Sequence, residues 1–150
     1  MSTIPPEIII KIKKYCDYQE RCHKEVRNKL YEMGCKTETI GQIIVHLIDA
    51  GYLNEERFAK AFAGGKFRTK KWGRLKIRQE LKFREITEYC IKKAMNEIDE
   101  NEYLSVLKEL VLKKKIRKND FYQKQKTIKW LMSKGYEIEL IKKAIELNQK

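Results

Sequence analysis

Hydrophobic positions recur at helical spacing along nearly the whole chain. Ile8, Ile12, Tyr15 and Cys16 share one face, after Pro5 and Pro6 set a first turn. Ile8, Ile10 and Ile12 also fit a strand, so two readings stand for this first segment. Val26 and Leu30 form the next stripe, which ends at Gly34. Ile40, Ile43, Ile44, Leu47 and Ile48 follow at i, i+3, i+4, i+7 and i+8, up to Gly51. Asn54 is an N-cap for a helix carrying Phe58, Ala61 and Phe62, which Gly64 and Gly65 weaken. Gly73 opens a helix with Ile77 and Leu81, and Thr87 caps one with Ile91, Ala94, Met95 and Ile98. A longer helix from about Asn101 carries Leu104, Leu107 and Val111. Asp120 starts another with Ile128, Leu131 and Met132, stopped by Gly135; Ile138, Ile141 and Ile145 mark the last. The pattern predicts an all-α fold of about nine helices with short joints.

The pattern also repeats. With Leu30, Leu81 and Leu131 in register, Gly34 meets Glu85 and Gly135, and Cys35 meets Ile86 and Tyr136. Ile40 meets Ile91 and Ile141, and Ile44 meets Met95 and Ile145. A period near 50 built of three short helices is a tandem repeat whose units must stack to bury their apolar faces. The expected product is an elongated, curved array. The expected division is an N-terminal helix over 1–19, then units over 20–70, 71–118 and 119–150, the last truncated.

Composition supports a folded helical protein. Of the 150 residues, 42% are hydrophobic and only nine are Gly or Pro. Charge changes the picture more. The net charge is +13, yet residues 1–65 hold ten bases against nine acids. Residues 66–84 carry nine bases and one acid, and residues 113–129 carry eight and one. Concentrated positive charge attracts phosphates or an acidic protein surface. Arg74, Arg78 and Lys82 fall at i, i+4 and i+8, beside the apolar Ile77 and Leu81. Such a stripe repels itself by some tenths of a kcal/mol per pair, which suggests an anionic partner. Arg68, Lys70 and Lys71 extend it, and Lys113, Lys114, Lys115, Arg117 and Lys118 form a second cluster. These eleven are the expected contact residues. Phe67, Trp72, Phe83, Phe121, Tyr122 and Trp130 interleave with the bases, where some would wedge units together and others would stack on unpaired bases. Trp72, next to Gly73, is the first choice for exposure.

No catalytic set is present. The chain lacks a phosphate-binding glycine loop, a His-Glu-x-x-His helix and a nucleophile elbow. Cys16, Cys22, Cys35 and Cys90 include no Cys-x-x-Cys pair, and His23 and His46 complete no zinc set. Cys22 suits an N-cap with Glu25 as the other half of a capping box, and His46 suits partial burial. No catalytic, cofactor or metal residue is therefore assigned. No signal peptide or membrane span is recognisable, so a cytoplasmic protein with free thiols is expected.

Gly51-Tyr52-Leu53-Asn54-Glu55-Glu56-Arg57-Phe58-Ala59 is similar to one signature of the RecX family of regulatory proteins, and Gly73-x-x-x-Ile77-x-x-Glu80-Leu81 to a second. Glu25-Val26-x-x-Lys29-Leu30-x-x-x-Gly34 resembles its upstream helix, and Trp130 through Ile145 its last repeat. The chain departs from the family at Arg74, where proline is frequent, at Cys22, where Ser or Thr is frequent, and at Glu85, which replaces a glycine. The resemblance implies a monomeric, non-enzymatic modulator of RecA recombinase. It would lie on the RecA–single-stranded DNA filament and impede ATP hydrolysis, strand exchange and repressor cleavage, with no cofactor and no membrane. The competing reading is a stand-alone helix-turn-helix DNA-binding regulator using helices over 37–49 and 54–69. Acids at the start of the second helix oppose it.

Overall fold

Residues 4–149 are described in a computed structural model; the ends of the predicted outer units, residues 1–3 and 150, lie outside them. The periodic segments fold as α1 (Pro6–Tyr18), α2 (His23–Glu32), α3 (Thr37–Asp49), α4 (Glu55–Lys70), α5 (Arg74–Phe83), α6 (Glu88–Met95), α7 (Glu100–Lys113), α8 (Phe121–Ser133) and α9 (Ile138–Asn148). Among the described residues there is no strand. The ambiguity at Ile8–Ile12 resolves to helix: Ile12 and Cys16 are buried while Ile10 is exposed, which alternation would not give.

Local chemistry starts the helices where the sequence places the caps. Asn54, Thr87 and Asp120 each accept a backbone N–H three residues on, and Asp99, which the sequence reading passes over, does the same for α7. Cys22 and Glu25 form the expected capping box. Burial pushes the Cys22 thiol up to about 11, so it stays a neutral thiol.

The repeat register holds at the level of single backbone bonds. The N–H groups of Cys35, Ile86 and Tyr136 donate to the carbonyls of Leu30, Leu81 and Leu131, each at 3.1 Å. The residue before each of these donors is left-handed: Gly34 at φ 86°, Glu85 at 61° and Gly135 at 100°. Glu85 thus adopts its glycine counterparts' conformation, at a cost of about 1 kcal/mol.

Packing groups the helices as α1–α3, α4–α6 and α7–α9. This grouping begins one helix earlier than the division expected from the sequence. A repeat period does not fix its phase; burial does. Ala59 and Ala63 of α4 and Ala94 of α6 are fully buried, and their small side chains let these two helices approach closely. Gly64 and Gly65 do not interrupt α4, because packing of its buried face outweighs propensity. Unit one has its own core around Ile12, Val26, Leu30, Ile43 and Leu47. Units two and three share one, from Phe58 through Tyr103 and Tyr136 to Ile145.

Several positions differ from expectation: Ile48 of α3 and Ala61 of α4, both placed on apolar faces by their spacing, are exposed. His46 is exposed, since α3 needs only Ile40, Ile43 and Leu47 inside. On α7 the buried face is centred on Tyr103, while Leu104 is partly exposed. On α8, Met132 faces out. Among the described residues, no helix is long and apolar enough to cross a membrane.

Candidate nucleic-acid interface

Units two and three interlock through two turns. The turn between α4 and α5 meets the turn between α8 and α9: Gly73 N–H donates to the Lys134 carbonyl at 2.7 Å, and Leu75 N–H to the Gly135 carbonyl at 2.9 Å. The buried Tyr136 hydroxyl donates to the Lys71 carbonyl at 2.8 Å. Lys71 itself is left-handed (φ 56°), which turns the chain out of α4.

This interlock brings the two basic segments together. Lys134 is held below the ordinary lysine range, first by burial and then by the charges of Lys76, Lys71 and Lys113. Lys71 comes from the first basic segment and Lys113 from the second. The charges acting on Lys134 are all positive, and no ion pair involves Lys71, Lys76, Lys113 or Lys134 among the described residues. Lys134 and Lys76 were not singled out from sequence, because each becomes significant only through the meeting of turns 60 residues apart. Two tryptophans floor the patch. Lys76 and Lys66 lie 4.5 and 5.2 Å from the Trp72 ring centre, and Lys114 and Lys134 lie 4.0 and 5.4 Å from that of Trp130.

The predicted stripe on α5 is differently placed. Arg74 turns inward. Its guanidinium pairs with Glu100 (2.6 Å) and Glu137 (2.7 Å) and lies 4.1 Å from the Tyr103 ring centre. Burial works against its charge, yet Glu137 and Glu100 hold its pKa above the ordinary arginine value. Arg78 pairs with Glu88 at 2.5 Å. Lys82 is exposed. Arg68 and Lys70 are exposed at the end of α4, and Lys115, Arg117 and Lys118 in the joint after α7. Sequence spacing alone does not reveal that carboxylates neutralise two members of the stripe, Arg74 from unit three and Arg78 from the next helix of its own unit.

The aromatic side chains also sort differently. Trp72 is half-buried, edge-on to Phe62 at 6.2 Å, and Phe67 is buried. Phe83, Phe121 and Tyr122 are the exposed ones.

Behind the patch, the Tyr103 hydroxyl donates to Glu137 Oε1 at 2.6 Å and accepts the Arg74 N–H at 3.0 Å. A proline at position 74 would have no such N–H to donate. Burial and then the Glu137 bond push the Tyr103 phenol far above its ordinary range, so it stays a donor. Tyr103→Phe will strand the Arg74 N–H and cost about 1–3 kcal/mol. A denaturant midpoint that falls at constant m-value measures this, and an unshifted midpoint would refute it.

Comparison with known proteins agrees with this architecture. A family model for the RecX second three-helix domain matches residues 54–95, and one for the RecX third three-helix domain matches residues 100–145. The chain is 33% identical over 125 residues to "Regulatory protein RecX" of Caldanaerobacter subterraneus subsp. tengcongensis, covering 83% of this chain and 61% of that protein. It is 29% identical over 129 residues to the protein of the same name from Lactobacillus johnsonii, covering 84% and 48%. The chain therefore spans about half to three-fifths of the length of these relatives. The crystal structure of RecX from Lactobacillus salivarius superposes with a TM-score of 0.79 at 23% identity, covering 95% of this chain and 97% of that one; this likeness bears on the fold.

Proposed function

Because the chain belongs to the RecX family of regulatory proteins, we propose that it binds the RecA–single-stranded DNA filament and lowers its recombinase, ATPase and coprotease activities. The observation that carries this reading is the convergence of Lys71, Lys76, Lys113 and Lys134 at the junction of units two and three, with none of them in an ion pair among the described residues. A polyanion seated there relieves repulsion that the free chain must bear. The contact surface extends from this junction to Arg68, Lys70 and Lys82 on one side and to Lys114, Lys115, Arg117 and Lys118 on the other. Arg74 and Arg78 serve it indirectly, by fixing units and helices. The chain acts as a monomer in the cytoplasm, without catalysis or cofactor.

A stand-alone helix-turn-helix regulator is the weaker reading. Its recognition helix would be α4, whose buried face packs against α6 and whose first turn is acidic. Glu55 there accepts the Thr87 N–H at 2.7 Å, and Glu56 pairs with Lys60 at 3.0 Å.

The test is RecA ATP hydrolysis on single-stranded DNA. Added at substoichiometric ratio, the chain will lower the steady-state rate. An unchanged rate with the cognate recombinase, together with a sequence-selective duplex footprint, would replace this function with the alternative.

A further inference from the structure

The joint between α7 and α8, residues 114–120, is tied to the helices on either side by hydrogen bonds and one buried side chain. Lys115 (φ 48°) and Asn119 (φ 70°) are left-handed, a conformation unfavourable to a lysine. Buried Ile116 pins its middle. Gln123, in the first turn of α8, clamps it from both sides: its side-chain amide donates to the Lys114 carbonyl at 2.9 Å and accepts the Arg117 N–H at 2.9 Å. Asp120, the only acid between residues 113 and 129, is engaged by the Gln123 N–H at 3.0 Å.

This fixed joint leads into two adjacent exposed aromatics. Phe121 is 73% and Tyr122 74% exposed, and neither belongs to the core. Lys126 Nζ lies 5.4 Å from the Tyr122 ring centre, and Lys115, Arg117 and Lys118 are exposed beside them. Bare aromatic rings among uncompensated cations suit a ligand with both π-faces and phosphates. Unpaired nucleotides offer both; in a duplex the faces are already stacked.

We propose that the α7–α8 joint with the first turn of α8 is a single-strand nucleotide-binding element, in which Phe121 and Tyr122 stack on unpaired bases while Arg117 and Lys118 hold the flanking phosphates. This rests on the reading that the basic surface meets nucleic acid, and it assigns base contact to this element and phosphate contact alone to the lysine junction. Stacking is indifferent to base identity, so the element selects single strands without selecting sequence.

The experiment compares the full chain with its Phe121→Ala/Tyr122→Ala variant by fluorescence anisotropy, on an oligothymidylate and on an abasic strand of equal length. Both side chains are exposed, so melting should be unchanged. The variant is expected to bind the oligothymidylate about tenfold to a hundredfold more weakly. It should bind the abasic strand as wild type does, with the same salt slope, and Tyr122→Phe alone should bind normally. Equal binding of the oligothymidylate by variant and wild type overturns the inference and leaves the proposed function standing. A variant that binds the oligothymidylate normally but no longer lowers RecA ATPase also overturns it, placing the rings against protein. Wild type that binds neither strand defeats the nucleic-acid reading itself.

Discussion

Gly73→Ala is expected to destabilise the protein by roughly 3–5 kcal/mol, one of the largest effects open to a single added methyl group. The backbone is not the reason: Gly73 sits at φ −77°, where alanine is comfortable. Space is. A Cβ there would lie 2.3 Å from the carbonyl carbon and oxygen of Gly135 and 2.5 Å from the Tyr136 nitrogen. These are backbone atoms of another unit and cannot rotate aside, so the two turns must separate. Separation removes the Gly73–Lys134 and Leu75–Gly135 hydrogen bonds and loosens the Tyr136 bond to Lys71. The measurement is the thermal midpoint, expected to fall by about 10 °C for a chain of this size. Gly65→Ala is the control. It lies inside α4 with nothing within 4 Å of the added carbon, so it should raise the midpoint through helix propensity. Equal effects of the two substitutions would mean that the interlock is absent in solution.

What was legible in the sequence was local. Helix starts followed Asn54, Thr87 and Asp120 because a cap acts over three residues, and the register of Leu30, Leu81 and Leu131 reappeared as three identical closing bonds. Phase was not legible, because it depends on α4 packing against α6. Tyr103 was missed beside Leu104 because hydropathy ranks leucine first. Burial of a tyrosine requires partners for its hydroxyl, and Arg74 and Glu137, 29 and 34 residues away, supply them. The same contacts explain where Arg74 lies: as a helix position it belongs to a basic stripe, but acids in unit three draw it inward. The candidate site shows the same division between local and distant information. Both basic segments were visible, but Lys76 and Lys134, which join them, gain meaning only once the turns at Gly73 and Gly135 meet.

Neutralising Lys71, Lys76 and Lys134 together, each to glutamine, is expected to flatten the salt dependence of single-stranded DNA binding by about two units of log affinity against log salt. Each phosphate contact releases counterions at about 0.7 per contact on single strands, so three lost contacts also weaken binding roughly a hundredfold at ordinary ionic strength. Arg74→Gln/Arg78→Gln is the informative comparison. Glu100, Glu137 and Glu88 already neutralise those arginines, so little counterion release depends on them, and the slope should barely move. Their loss should appear in stability instead, since Glu137 then lacks its cation. The lysine triple variant should behave oppositely. Burial and three like charges already disfavour the charged form of Lys134 in the fold, so removing those charges will leave the melting temperature level or higher. Affinity lost without stability identifies a binding surface, and stability lost without slope identifies a clamp. If the lysine variant keeps the wild-type slope, the phosphates contact the joint after α7 and the junction holds protein.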